Sequence, residues 1–427
     1  MKQILFNKKN ELKIMKKFIK KWTESSLILK IIIGMIIGVI LGVFIPKVSI
    51  IGLPGTLFVS ALKAVAPLLV FVLVASALSK AKSGIASRFK TVIIFYLFST
   101  FIAAIVAVLG SHLFPVGMHL TAASNVSAPS GLEEILTNIL TTIFSNPIKS
   151  LTEGEYLGIL FWSFVFGIAL KIVASDNTKN MMEDFANALT IIVRGIIQFA
   201  PIGVMGLVFT SVSESGIGIF TQYGQLILLL VVCIGIVALI TDPLIVALTL
   251  KRNPYPLVFT CLRESGITAF FSRSSAANIP INMRLCERLG LDKDFYSISI
   301  PLGATINTEG AAVTITVMTL AVCNTLGIHI SLPITIMLCL ISTAAACGSS
   351  GVAGGSLLLI PMACSMFGIG NDIAMQAVAV GFIIGVIQDS CETALNSSGD
   401  ALFSATAEYY DRMKRGEDMK FLGEFAK

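Results

Sequence analysis

The stretch DSCETALNSSGD, residues 389–400, decides how this chain folds. Its polar residues Asp389, Glu392, Thr393, Asn396 and Asp400 follow at steps of three, one, three and four. Such spacing places them on one face of a helix. One acidic residue at the middle of a bilayer costs about 2.5–3.5 kcal/mol, so three facing lipid would cost roughly 8–10 kcal/mol. The face must therefore turn toward protein, water or bound cations.

The counter-charge for this acidic face has to come from elsewhere. No Lys or Arg occurs between Tyr296 and Ala407, and Glu309 and Asp372 add further acid. Cations from solution are the natural partners for these carboxylates. The sequence therefore predicts a cation-coupled site inside a membrane protein.

Composition indicates the same class of protein. Hydrophobic residues make up 55% of the chain, charged residues 13%, and the mean hydropathy is +0.87, unlike an ordinary soluble domain. Apolar runs recur at 31–46, 64–79, 91–120, 156–170, 195–213, 224–241, 296–320 and 374–388. Several approach the roughly 20 residues that span a bilayer. We predict an all-α polytopic membrane protein.

Basic residues predict the orientation in the membrane. Seven lysines lie within residues 8–21, ahead of the first apolar run. Further basic residues fall at 80–90, 171–179, 251–252 and 412–415, whereas the loop 121–150 is acidic. Under the positive-inside rule both termini are cytoplasmic, and the lysine-rich leader is a membrane anchor. A nucleic-acid partner is not expected, because no aromatic residues alternate with these lysines.

Two small, polar segments interrupt the spanning pattern. They are FSRSSAANIP, residues 271–280, and ACGSSGVAGGS, residues 346–356. Non-helical backbone at membrane depth is tolerated only where it lines a cavity or is buried in protein. We interpret both segments as the tips of re-entrant hairpins. Close helix packing is the alternative for such Ser/Gly tracts; a phosphate loop is not indicated, because no Lys follows the second segment.

A helix with a polar interruption follows each hairpin. The first contains GATINTEG, residues 303–310, and the second is the acidic helix at 389–400. Inverted repeats with broken helices that meet near the midplane are typical of secondary transporters. Amide groups at the hairpin tips can hold a carboxylate, and carbonyls freed by the break can hold a cation.

These motifs resemble the dicarboxylate/amino acid:cation symporter family, which has the glutamate-transporter fold. The similarity runs from about Leu27 to Arg415 and is most specific at 273–280, 301–310, 348–355 and 389–400. The chain looks most like the sodium-coupled serine/threonine symporters of that family. The resemblance implies eight transmembrane helices plus two re-entrant helical hairpins, arranged as inverted repeats in a homotrimer with an elevator mechanism.

The resemblance also implies a domain organisation. After a basic cytoplasmic segment (1–26), static scaffold helices 1–2 (27–79) and 4–5 (155–213) hold the trimer. The moving transport domain contains helix 3 (89–115), helix 6 (222–250), hairpin 1 (256–290), helix 7 (295–322), hairpin 2 (331–369) and helix 8 (371–412), followed by a cytoplasmic tail (413–427).

Residue roles carried over from the family define a substrate site. Asp389 would accept the substrate ammonium, Asn396 would donate to its carboxylate, and Thr393 would reach its side chain. Ser274, Ser275, Val352 and Gly354 belong to the hairpin tips that would close over the ligand.

The same resemblance implies three sodium sets. The first comprises Gly303, Asn307, Asn396 and Asp400; the second Thr305, Ala346, Cys347 and Ser349; the third Tyr96, Ser99, Thr100, Asn307 and Glu309. Thr308, inside the helix break, is counted with the cation-binding residues. Sodium is a co-transported ligand here, and no resident cofactor is expected.

The chain departs from the family pattern at three positions. Glu392 stands where members with acidic substrates carry Arg, and Ala311 where they usually have a hydroxyl. Both changes favour a small neutral amino acid, although Glu392 could instead pair with Arg273 as a buried ion pair. Glu309 is one methylene longer than the usual Asp, which weakens the case for the third sodium set.

The leading hypothesis is a non-enzymatic sodium-coupled symporter that imports serine and threonine, with alanine as a further candidate substrate, across the bacterial cytoplasmic membrane. A transporter of another amino acid or dicarboxylate, driven by protons or sodium, is the first alternative. An ion channel is the second, because broken polar helices also line pores. A hydrolase with Ser274 or Ser275 as nucleophile lacks a base nearby.

Overall fold

The computed structural model describes residues 27–80, 87–120, 137, 140–141, 143–328, 330, 332–349, 354–417 and 420–426. The predicted N-terminal segment 1–26, most of the predicted outer loop 121–150 and Val352 lie outside the described residues. Within these ranges all regular secondary structure is helical, which confirms the predicted all-α class.

The first helices of the described chain are α1 (Leu27–Phe44), α2 (Leu53–Lys80), α3 (Ser87–Leu113), α4 (Pro147–Glu153), α5 (Tyr156–Val173), α6 (Asp176–Gln198) and α7 (Ala200–Ser215). Of these, α1, α2, α3, α5 and α7 correspond to the N-terminal apolar runs, whereas α4 and α6 lie largely between these runs. Next come α8 (Ile219–Ile236) and α9 (Asp242–Leu250), joined without a break by a π-helical turn at Val237–Thr241.

The remaining helices carry the motifs described above. A second π-helical turn, Leu262–Gly266, joins α10 (Tyr255–Cys261) to α11 (Ile267–Ser272). They are followed by α12 (Ser275–Arg288), α13 (Lys293–Ile306), α14 (Glu309–Leu326), α15 (Leu332–Cys347), a 3-10 turn at Ser356–Leu359, α16 (Ile360–Ser365) and α17 (Asn371–Lys414).

Five stretches of the described chain are long and apolar enough to cross a membrane. They are Ser49–Lys80, Arg88–Leu113, Ile219–Leu250, Lys293–Leu326 and Asn371–Lys414, and α6 with α7 would make a sixth if counted together. The most apolar window of Lys293–Leu326 is 94% buried, against 33% for Ile219–Leu250. The segment carrying the helix break is therefore enclosed by protein rather than exposed to lipid. Eight spans with two re-entrant hairpins remain a prediction.

One compact unit consists of residues 27–58 with 197–217. In it, glycines at four-residue spacing allow α1 to lie directly on α7. A Cβ at Gly34 would stand 2.2 Å from the carbonyl oxygen of Pro201, and one at Gly38 would stand 2.5 Å from that of Met205. Any larger side chain would force the two helices apart, as at other small-residue contacts between membrane helices.

The second compact unit, residues 59–196 with 218–426, contains the motifs from which the function was inferred. Its centre is α17, which packs against α3, α11, α12, α13 and α14. The face of α17 predicted to be polar is buried, since Asp389, Glu392, Thr393, Asn396 and Asp400 are each at most 6% exposed. The acidic face therefore points into protein.

Candidate functional site

The site begins at the turn between α11 and α12. Arg273 ends α11 in a left-handed conformation (φ +52°), and Ser274 caps α12 by accepting a hydrogen bond from the amide of Ala277 at 3.3 Å. Ser275 is the first residue of α12 and is buried. This turn aims the Arg273 side chain toward α17.

Arg273 neutralises the first carboxylate of the acidic face. Its Nε donates to Asp389 Oδ2 at 2.5 Å, and its terminal nitrogen donates to the carbonyl of Gly385 at 3.2 Å. The other Asp389 oxygen accepts from the amide of Gly354 at 3.0 Å. The expectation that only dissolved cations balance the acidic face is therefore wrong for Asp389, because a basic side chain reaches it from the turn between α11 and α12.

Glu392 has a different set of partners. Its Oε2 accepts hydrogen bonds from the hydroxyls of Thr314 and Ser356, each at 2.8 Å, and from the side-chain amide of Gln388. The alternative in which Glu392 pairs with Arg273 is wrong, since the guanidinium lies on Asp389. Glu392 is thus a buried carboxyl group held by neutral donors.

Asn396 ties α17 to the helix break. Its side-chain oxygen accepts from the amide of Gly310 at 2.8 Å, and its carbonyl accepts from Asn307 Nδ2 at 3.1 Å. With the oxygen engaged, the amide NH2 is the group of Asn396 that can donate to a ligand. The Thr393 hydroxyl donates to the carbonyl of Asp389 at 2.7 Å, as side chains one turn apart do.

The predicted interruption at 303–310 is present at Asn307 and Thr308. Both have non-helical dihedrals (φ −91°, ψ 81° and φ −124°, ψ 48°), so α13 ends and α14 begins around them. Asn307 Nδ2 also donates to Asp400 Oδ1 at 3.1 Å. The break is therefore held against α17 by the Asn307 side chain.

The residues of the first sodium set lie together. A Cβ at Gly303 would stand 2.8 Å from Asp400 Oδ1 and 2.9 Å from the hydroxyl of Tyr96, so only glycine fits beside this carboxylate. Asp400 is fully buried, and its Oδ2 has no hydrogen bond among the described residues. A buried carboxylate oxygen without a donor is poorly compensated unless a cation or proton occupies the space.

The residues of the second set come from two places in the chain. Thr305 lies near the end of α13, whereas Ala346 and Cys347 end α15, with Ser349 just beyond. Cys347 Sγ lies 3.6 Å from the carbonyl of Ile306, so the C-terminal ends of α13 and α15 lie side by side. The buried hydroxyl of Thr308 has no hydrogen-bond partner among the described atoms.

The third set surrounds Tyr96 on α3. The Tyr96 hydroxyl lies 2.8 Å from that of Ser404, and the Tyr96 carbonyl accepts from Thr100 at 2.7 Å and from Ser99 at 3.2 Å. Glu309 is fully buried, and neither of its carboxylate oxygens makes a hydrogen bond in the described part of the chain. The third set thus contains a second poorly compensated carboxyl group.

A further polar cluster fixes α12 on α17. Asn278 Nδ2 lies 2.9 Å from the hydroxyl of Ser265 and 2.7 Å from that of Ser397, and Asn282 donates to the carbonyl of Ser397 at 2.9 Å. Asn278 and Asn282 are four residues apart on α12, but their partners Ser265 and Ser397 come from two other segments, so the sequence could not place the cluster. Thr314 and Ser356 likewise lie far along the chain from Glu392, whereas Gln388 precedes Glu392 by four residues on the same helix.

Comparisons with known proteins agree with this arrangement. The family model described as "Sodium:dicarboxylate symporter family" matches residues 27–409. A protein named "Serine/threonine transporter SstT" from Bifidobacterium adolescentis is 58% identical over 375 residues, which is 88% of this chain and 87% of that protein. Proteins of the same name from Streptococcus agalactiae and Streptococcus thermophilus are 56% and 54% identical over 396 residues, 92% of this chain and 98% of theirs.

Proposed function

The chain belongs to the sodium:dicarboxylate symporter family, and we propose that it carries serine and threonine across the bacterial plasma membrane together with sodium. It is an integral membrane transporter and not an enzyme. The observation that carries this proposal is the buried acidic face of α17 at the break between α13 and α14. Asp400 on this face and Glu309 beside the break both have carboxylate oxygens without a hydrogen bond among the described residues.

The zwitterionic part of the substrate is assigned to Asp389 and Asn396. Asp389 would receive the ammonium, and the amide NH2 of Asn396 would donate to the carboxylate. Because Arg273 already occupies one Asp389 oxygen, the ammonium must share the carboxylate with it or displace it. Gly354 donates to the other oxygen, which couples the second polar segment to the same residue. Ser274, Ser275, Val352 and Gly354 would close over the ligand, and Thr393 would line its side-chain pocket.

Glu392 supports selectivity for a neutral side chain. It is buried and held by hydroxyl and amide donors, so no fixed positive charge is placed there to receive a second carboxylate. An acidic substrate would meet a carboxyl group instead. The hydroxyl of serine or threonine can donate a hydrogen bond to such a group. Alanine transport, which needs no hydroxyl partner, is the secondary possibility.

Sodium ions are assigned to the three sets described above. Carbonyl, hydroxyl and carboxylate oxygens are hard ligands, which suit cations without a ligand-field preference. Each positive charge that moves inward across ~100 mV supplies about 2.3 kcal/mol. Two such charges would support a roughly 10³-fold concentration gradient, since about 1.4 kcal/mol corresponds to tenfold.

The assembly and mechanism follow the family resemblance. We propose a homotrimer in which scaffold helices at 27–79 and 155–213 stay fixed. The transport domain, with residues 89–115, 222–250 and 256–412, would move the substrate by an elevator motion. Both termini would face the cytoplasm. A proton-coupled transporter or one for another amino acid or dicarboxylate is the alternative, and an ion channel is disfavoured by the family.

Uptake into reconstituted vesicles tests the proposal. Labelled serine should accumulate under an inward sodium gradient, and unlabelled threonine should compete with it. Replacing sodium by lithium, potassium or a proton gradient separates the coupling ions. Accumulation indifferent to sodium would reject the coupling, and conductance without amino acid would favour the channel.

The role of Asp400 can be tested separately. Asp400→Asn preserves the shape and the hydrogen bond from Asn307 but removes the charge. We expect the variant to need more sodium for half-maximal serine uptake while remaining folded, as checked by size-exclusion chromatography. An unchanged sodium requirement would remove Asp400 from the cation site.

A further inference from the structure

Asp242 is a buried acid that neither the sequence analysis nor the family roles assign. It is the first residue of α9, directly after the π-helical turn Val237–Thr241. Such turns are rare and frequently mark functional sites, because they shift the side chains that follow around the helix. Asp242 is 2% exposed, and its Oδ1 has no hydrogen-bond partner among the described atoms.

A second buried acid lies close to Asp242. The Asp242 carboxyl group lies within direct electrostatic reach of Glu309, the first residue of α14, and Ser99 lies beside Glu309. The two carboxyl groups are close enough to hydrogen-bond to each other only if one of them carries a proton, and neither Glu309 oxygen has a well-aligned hydrogen bond from another described residue. Of the ion pairs within the described residues, none includes Asp242, Glu309 or Asp400.

Two adjacent buried carboxyl groups without donors require a positive partner. Like charges disfavour each other's ionised form, and an isolated buried charge is far costlier than a paired one. The Ser99 hydroxyl lies beside Glu309 and donates to Asn307 Oδ1 at 3.5 Å, so these neighbours offer oxygen atoms that suit a bound cation.

We propose that Asp242 supplies a second carboxylate to the third sodium set, so that one sodium ion binds between Asp242 and Glu309. This inference rests on the proposed sodium coupling. It also gives the longer Glu309 side chain a function, because its extra methylene lets it reach toward α9. The third set would then use ligands from four places: α3, α9, the break at Asn307 and the start of α14.

Sodium binding without substrate tests this assignment. The full-length protein is purified in detergent in choline chloride, and its thermal unfolding midpoint is followed while sodium replaces choline. A ligand that binds only the folded state raises the midpoint according to its concentration relative to Kd. Asp242→Asn keeps the side-chain shape and should shift the sodium curve about 10-fold or more toward higher concentration, the usual effect of losing a group that supports a metal site.

Three comparisons make the result decisive. Asp294→Asn, the same change at an exposed residue of α13, should leave the curve in place. Glu309→Gln should shift it, and adding Asp242→Asn to that variant should cause little further shift, because both side chains hold one ion. Circular dichroism in choline checks that each variant is folded before sodium is added.

Each contrary outcome is distinguishable. An Asp242→Asn curve that coincides with wild type means that Asp242 is already neutral, and the assignment fails while sodium coupling stands. Additive shifts in the double variant would also overturn it. A wild-type protein whose midpoint ignores sodium would instead count against the proposed function.

Discussion

Replacing Arg273 by Gln should destabilise the protein far more than losing a surface charge. The Arg273 and Asp389 side chains are 10% and 5% exposed, so their pair is buried. Removing one member of a buried pair leaves the other charge uncompensated and typically costs about 3–5 kcal/mol. The carbonyl of Gly385 would also lose a donor. We therefore expect a loss in that range.

Unfolding in mixed detergent and denaturant micelles, with serine and sodium absent, measures this loss. The matched control is Arg263→Gln: Arg263 is 64% exposed, and its partner Glu264 keeps a second arginine, Arg288, at 2.9 Å. An exposed pair contributes about 0–1 kcal/mol, so the control should change little.

A second variant separates charge from packing. Adding Asp389→Asn to Arg273→Gln removes the uncompensated carboxylate and should recover most of the lost stability. If Arg273→Gln is no more destabilising than the control, or if the double variant recovers nothing, the resting protein does not hold Asp389 through this arginine. The reasoning on how the substrate ammonium competes for Asp389 would then fail.

Three further changes have expected outcomes. Glu392→Arg should shift uptake from serine toward aspartate, because a guanidinium would replace the carboxyl group in the side-chain pocket. Gly303→Ala should raise the sodium concentration needed for half-maximal uptake, since the new Cβ would lie 2.8 Å from Asp400 Oδ1. Arg88→Gln should destabilise the fold near neutral pH and flatten its acid dependence, because hydrogen bonding from Arg88 is the main cause that lowers the pKa of Asp292, at the start of α13. That stabilisation is complete above the unfolded pKa of about 3.9 and is lost as pH falls through the lower folded value, so unfolding scans should show the variant less stable than wild type at pH 6 and the two converging toward pH 2.

Each of these measurements has a control. Glu392→Gln should keep its preference for serine, and unchanged selectivity in a transport-competent Glu392→Arg protein would contradict the role given to Glu392. Gly235→Ala introduces a Cβ with nothing within 4 Å and should leave the sodium requirement unaltered. If the stability of Asp292→Asn falls between pH 6 and pH 2 as steeply as that of wild type, the ion pair between Arg88 and Asp292 contributes nothing to stability.

The sequence alone determined the class of protein, the buried face of α17 and the place where α13 breaks. These features depend on local spacing. Polar residues at steps of three and four share a helix face whatever the fold, and acids within an apolar segment must avoid lipid. The family followed from short motifs at 273–280, 301–310, 348–355 and 389–400, which the family match over residues 27–409 supports.

Only the tertiary structure decided which charges meet. Arg273 and Asp389 are 116 positions apart, and Thr314 lies 78 positions from Glu392, so no local pattern could pair them. Spacing along α17 could not decide whether Arg273 pairs with Asp389 or with Glu392, one turn away on the same face; the structure places it on Asp389. Asp242 joins Glu309 for the same reason: helix packing brings together residues whose separation in the chain carries no information about their contact.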